Sequence, residues 1–187
     1  MEICISGHPD VYEPSEDTFL LLGALGEAEG RALEIGTGSG IVAIYLAKMG
    51  HEVVATDINP HALGLARANA RRNGVEIGAV RADLFDGIKG RFDTIVFNPP
   101  YLPTSPGDKT GDRWLDASVN GGPDGLHLTR RFLAGLNEML SGRGNAYTVS
   151  SSLSGFPRRL PSGLVGRVVA TGKLEFEMLR VHRIGRP

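Results

Sequence analysis

Leu33-Glu-Ile-Gly-Thr-Gly-Ser-Gly40 decides the fold of this chain. Arg31 to Ile35 reads as a short buried strand, and the glycine-rich turn Gly36–Gly40 breaks it before Ile41 to Met49, which reads as an apolar helix. Glycines directly after a strand let backbone come close to a ligand and aim the N–H groups of the next helix at it. Gly36 and Gly38 match the first two glycines of the G-x-G-x-x-G dinucleotide fingerprint, but Ile41 stands where its third would be. With Glu34 at the strand end, the turn suits a nucleoside ligand without a pyrophosphate better than a dinucleotide.

Reading outward, strands alternate with helices. Pro14-Ser-Glu-Asp17 looks like a helix start, with Ser15 able to cap it. Glu52 to Thr56 is a second strand ending at Asp57, and Pro60 opens a helix running to about Asn73-Gly74. Val75 to Val80 is a weaker third strand and Phe92 to Phe97 a strong fourth. A long loop rich in Gly and Pro covers 102–122 and reads as the element that touches the substrate, with Trp114 as an apolar anchor for a docking protein loop. A helix from Pro123 to Leu140 and a strand from Asn145 to Val149 follow. Pro157 and Pro161 leave 150–162 little room for a helix, and Leu164–Thr171 with Leu174–His182 forms an antiparallel hairpin. The pattern is α/β with βαβ units around a mostly parallel sheet. One domain is expected over 1–187, behind a short leader of about residues 1–11.

Composition narrows the function. The 187 residues are 41% hydrophobic and 22% charged, with a net charge of −1, which argues against a protein held mainly by nucleic-acid phosphates. The single cysteine, Cys4, allows no disulfide within the chain and no cysteine-based zinc site, and the five histidines show no ligand spacing, so no metal is expected. No signal peptide or membrane-length apolar run appears, so the expected location is the cytoplasm.

Three strand ends in order carry Gly36, Asp57 and Asp83 along one rim, the carboxyl edge where open α/β sheets bind ligands. Asp57 can accept from both ribose hydroxyls, the alternative being a helix cap that Asn59 could supply equally well. Asp83 can accept from an adenine amino group while Leu84 packs on the ring, the alternative being a turn aspartate. The fourth strand ends in Phe97-Asn-Pro-Pro-Tyr101 on the same rim. If the ligand is S-adenosylmethionine and the acceptor a planar nitrogen, the Asn98 side-chain oxygen and the Pro99 carbonyl can each bind one N–H and aim the nitrogen lone pair at the methyl. The two prolines hold those oxygens in place, and Tyr101 can stack on the flat acceptor or shield it from water.

The sequence resembles the HemK-like class I S-adenosylmethionine-dependent methyltransferases, in particular the short eukaryotic and archaeal branch that methylates the glutamine of the Gly-Gly-Gln motif of a translation release factor. The matching stretches are Val11–Leu20, Leu33–Gly40, Thr56–Pro60, Asp83-Leu84, Phe97–Tyr101, Gly121–Gly125 and Lys173–Glu177. The resemblance implies a Rossmann-like, seven-stranded, mostly parallel sheet with a C-terminal antiparallel hairpin. It implies cofactor contacts at Thr18, Glu34, Gly36, Asp57, Asp83, Leu84 and Asn98, to which the reading of the turn adds Gly38. It implies Asn98 and Pro99 at the acceptor, to which the reading of the fourth strand's end adds Tyr101, with S-adenosylhomocysteine as product. It also implies a small zinc-binding activator protein as heterodimer partner, for which the third-strand edge is the candidate surface. N-methylation of an adenine or guanine amine in RNA or DNA ranks second, a non-catalytic nucleoside-binding subunit is a further alternative, and a dehydrogenase is disfavoured by the missing third glycine.

Overall fold

The computed structural model describes residues 2–105, 107 and 111–187; positions 106 and 108–110 of the expected loop lie outside the described residues. In chain order the elements are α1 (Glu16–Gly23), β1 (Ala32–Ile35), α2 (Ile41–Lys48), β2 (Val53–Asp57), α3 (Pro60–Arg72), β3 (Gly78–Arg81), β4 (Phe92–Phe97), α4 (Arg113–Val119), α5 (His127–Met139), β5 (Leu140–Ser151), β6 (Val165–Lys173) and β7 (Met178–Gly185). The strands form one sheet in the order β3-β2-β1-β4-β5-β7-β6. The first five run parallel, and β7 lies antiparallel to both β5 and β6. This is the expected sheet, its C-terminal hairpin included. The strand order reverses between β1 and β4, so their carboxyl ends open a crevice there.

Burial explains why these segments are strands and helices. All four residues of β1 are buried, as a central parallel strand covered on both faces requires. One face packs Ala32, Val53, Val96 and Val181 under α1 and α2, and the other packs Leu33, Ile95 and Ala146 under Phe132, Leu133 and Leu136 of α5. Gly40 is fixed by packing as well as by its φ of 84°: a Cβ there would stand 2.8 Å from Ala66 of α3. The leader is tied to α3 as a strand would be. Asn73 exchanges hydrogen bonds with the Cys4 backbone (2.9 and 2.6 Å), and Asn69 with that of Ser6 (2.8 and 3.1 Å).

Several boundaries differ from expectation for identifiable reasons. The third strand begins only at Gly78, because Gly74 N–H bonds to Arg71 O and Val75 N–H to Ala70 O, which closes α3 and takes residues 74–75 out of the strand. Strand β5 starts at Leu140 and runs to Ser151, longer than its apolar run, because β4 and β7 both pair with it. Within the expected loop, α4 forms because the Asp112 side chain accepts from Trp114 N and Leu115 N (2.7 and 2.9 Å). Ser15 sits at the α1 N-cap but makes no capping bond; its hydroxyl donates to Glu16.

Candidate active site

The rim of the sheet holds a cavity lined by Thr18, Glu34, Gly36, Gly38, Asp57, Asp83, Leu84 and Asn98. All eight positions expected to touch a nucleoside cofactor therefore line one space. Glu34 is 4% exposed, and one of its oxygens accepts from Thr37 Oγ1 (2.5 Å) and Ala43 N (3.0 Å). Burial pushes its carboxyl up to about 8, so the group is largely protonated at neutral pH. Asp57 accepts from Gly38 N (3.0 Å) and Asn59 N (2.9 Å), which fastens the glycine turn to the end of β2. Burial raises its pKa too. The capping alternative belongs to Asn59, whose side chain accepts from His61 N (2.9 Å) at the start of α3. Asp83 pairs with Arg131 at 3.0 Å, and Leu84 is buried with φ of 52°, a left-handed conformation uncommon for leucine.

Across the cavity, one residue that the sequence did not single out organises the acceptor side. Asp17 on α1 is 4% exposed. Its Oδ1 accepts from the backbone N (2.6 Å) and the hydroxyl (3.2 Å) of Thr18, and its Oδ2 from Asn98 Nδ2 (3.0 Å) and the Tyr101 hydroxyl (3.1 Å). A carboxylate accepts only, so it fixes the Asn98 amide with its nitrogen inward. Asn98 Oδ1 is then left buried without a hydrogen-bond partner. An unpartnered buried acceptor is costly, and on a residue that lines a cavity it marks where a donor from a ligand belongs. Pro99 beside it is buried, in keeping with a rigid turn. Burial, and after it the Asp17 carboxylate, holds the Tyr101 hydroxyl well above its usual pKa, so it stays a donor.

Trp114 also lines the cavity, half-buried, with the Arg113 guanidinium 4.2 Å and that of Arg81 5.9 Å from its ring centre. The sequence reads it as an anchor for a docking protein loop; in the structure it lines this cavity. The signal for Asp17 was present: it lies four residues before Leu21 on the buried face of α1, where an acid is out of place without partners. No local pattern in the sequence marked the cap at Asp112 that creates α4.

Comparison with known proteins places the chain in a family. Residues 8–116 match the family model described as methyltransferase small domain. A protein of Methanocaldococcus jannaschii, provisionally named a protein N5-glutamine methyltransferase, is 42% identical over 180 residues, covering 93% of this chain and 91% of that one. Methyltransferase HEMK2 of Mus musculus is 43% identical over 154 residues, covering 75% of this chain and 72% of that one. Among solved structures, the E. cuniculi Mtq2–Trm112 complex, responsible for methylation of the termination factor eRF1, superposes with a TM-score of 0.72 at 27% identity, covering 95% of this chain and 99% of that one. The chain is a HemK-like class I methyltransferase of the methyltransferase small domain family.

Proposed function

We propose that this chain transfers the methyl group of S-adenosylmethionine to the side-chain amide nitrogen of a glutamine, in the Gly-Gly-Gln loop of a translation release factor. The observation that carries the reading is Asn98 Oδ1, buried, unpartnered and held in place by Asp17. When bound, the donor supplies an electrophilic methyl on a sulfonium. The residues present fit it: glycine backbone at 36 and 38, the carboxyl groups of Glu34 and Asp57 at the ends of β1 and β2, and Asp83 with Leu84 for the base. Asp57 accepts from the ribose hydroxyls with the lone pairs that Gly38 and Asn59 leave free. An amide nitrogen is a poor nucleophile because its lone pair is delocalised. Asn98 Oδ1 and the Pro99 carbonyl take its two N–H groups, which favours pyramidalisation and turns the lone pair toward the donor. As the N–CH3 bond forms, the S–CH3 bond would break to leave S-adenosylhomocysteine, and the nitrogen would lose one of its two protons to solvent. These contacts strengthen as positive charge grows on the nitrogen, so they act on the transition state more than on binding.

The names of the M. jannaschii protein and of the solved E. cuniculi complex support the glutamine substrate. The same complex supports a small activator subunit, for which the β3 edge is the candidate surface. This strand ends the sheet, and its Val80 is 44% exposed.

Two variants test the chemistry together. Asn98→Ala should leave donor affinity within about tenfold and cut turnover by ~10²–10³, as expected for one lost preorganised contact. Asp17→Asn keeps the shape but no longer dictates the Asn98 orientation, and should lower turnover by roughly 10–10² with donor affinity little changed. Parallel losses of donor binding and turnover in both variants would mean that the pair only builds the pocket.

A further inference from the structure

At Asp10, which lines the cavity, three side chains with metal-ligating atoms converge from distant parts of the sequence. His8 and Asp10 come from the leader and His61 from the first turn of α3; their ligand atoms all lie within 4.8 Å of one another. Asp10 Oδ2 is 3.9 Å from His8 Nδ1 and 3.8 Å from His61 Nε2, and the two imidazole rings stack with centres 5.1 Å apart. The expectation of no metal rested on spacing along the chain, which cannot show a pairing across the fold.

We infer that His8, Asp10 and His61 form a binding site for a late first-row divalent cation of the zinc or nickel class, which clamps the leader onto α3. Two imidazoles and one carboxylate suit zinc or nickel, whereas calcium and magnesium prefer oxygen donors alone. Tetrahedral coordination at zinc bond lengths places ligand atoms about 3.3 Å apart, so the three groups need to close by ~0.5–1.5 Å. All three are at least partly exposed, which leaves their side chains free to make that rotation. His8 Nδ1 accepts from Asp10 N at 3.2 Å, so this nitrogen presents a lone pair, as a metal ligand must. The cation would take that lone pair in place of a long hydrogen bond.

The backbone beneath the site is already fixed. Asn59 is 6% exposed and serves both ligand-bearing segments: its Nδ2 donates to Asp10 O (2.7 Å), and its Oδ1 accepts from His61 N (2.9 Å). Such support from behind the ligands separates a built site from a chance meeting of side chains. Asp10 and Asn59 also line the donor cavity, so an ion that draws the leader to α3 would steady one wall of that cavity.

The test uses the untagged 187-residue chain stripped with chelator and titrated with zinc by calorimetry, and with cobalt by visible absorption. The expected result is one ion per chain at micromolar affinity or tighter, a higher unfolding temperature with zinc, and at least about tenfold weaker binding in each of His8→Ala and His61→Ala. Circular dichroism should show both variants folded, with donor affinity in chelator equal to wild type. No saturable binding below about 100 µM would overturn the inference. So would zinc binding that survives in the double variant, since the ion would then sit elsewhere, at Cys4 for example.

Discussion

At the level of single residues, the site sets two buried acids to opposite uses. Asp17 satisfies four donors and thereby tells Asn98 which way to point. Glu34 is satisfied by only two and is pushed toward its neutral form. The sign of the resulting pH dependence follows directly. Between the ordinary carboxyl value of 4.5 and about 8, the unfolded chain has given up this proton and the folded chain has kept it, so stability contributed here falls as pH rises through that window. Glu34→Gln removes the fall. Its unfolding temperature should exceed wild type clearly at about pH 9 and little at about pH 5. Its donor affinity should drop at about pH 9, where the wild-type carboxylate supplies a counter-charge to a cationic ligand, and change little at about pH 5. Equal shifts at the two pH values would contradict a buried, protonated Glu34. The glycine turn, Asp57 and the Asn-Pro-Pro-Tyr stretch were legible in the sequence because each is a local arrangement at a strand end. Asp17 was not, because its meaning depends on Asn98 and Tyr101, which only the fold brings to it.

At the level of elements, α4 and β3 carry the departures. A loop rich in Gly and Pro hid a seven-residue helix whose start depends on one aspartate cap, and that helix turns Trp114 onto the donor cavity. Trp114 is the only tryptophan in the chain, so intrinsic fluorescence should shift in intensity or wavelength when the donor or S-adenosylhomocysteine binds. Trp114→Ala should weaken donor binding by about tenfold, in keeping with one lost aromatic face. An unchanged emission spectrum at saturating ligand would place α4 away from the cofactor. The β3 edge is shorter than the apolar pattern suggested, and this changes the probe for a partner. Ile77 lies outside the strand and packs against the core, so a charge there would damage the domain itself. Val80 lies on the strand and is exposed. Val80→Lys should abolish co-purification with a small activator subunit while leaving donor binding by the isolated chain intact. Retained co-purification would move the interface elsewhere.

At the level of the whole molecule, alternating strands and helices made the α/β sheet and its antiparallel hairpin legible, because buried parallel strands must be continuously apolar and hairpins must be close in sequence. What stayed hidden needed three-dimensional neighbours: the hydrogen bonds by which Asn59, Asn69 and Asn73 clamp the leader to α3, and the stacked pair of His8 and His61. Among the described residues no helix is long and apolar enough to cross a membrane. The sheet places Glu34, Gly36 and Asp57 on the strand ends around β1 and β2, and Asn98 between β4 and α1, on one cavity, so under the proposed reading the methyl passes across the switch point to the group that Asn98 holds. The central claim is that this acceptor is a glutamine amide. The direct measurement incubates the chain, alone and with a co-expressed activator, with methyl-labelled donor, a purified release factor, its Gln→Ala variant in the Gly-Gly-Gln loop, and total RNA and DNA. Fragment mass spectrometry then locates the label. The account predicts a single added methyl on the nitrogen of that glutamine and none on the Gln→Ala variant. Label appearing in nucleic acid, or on the release factor regardless of that glutamine, would contradict it.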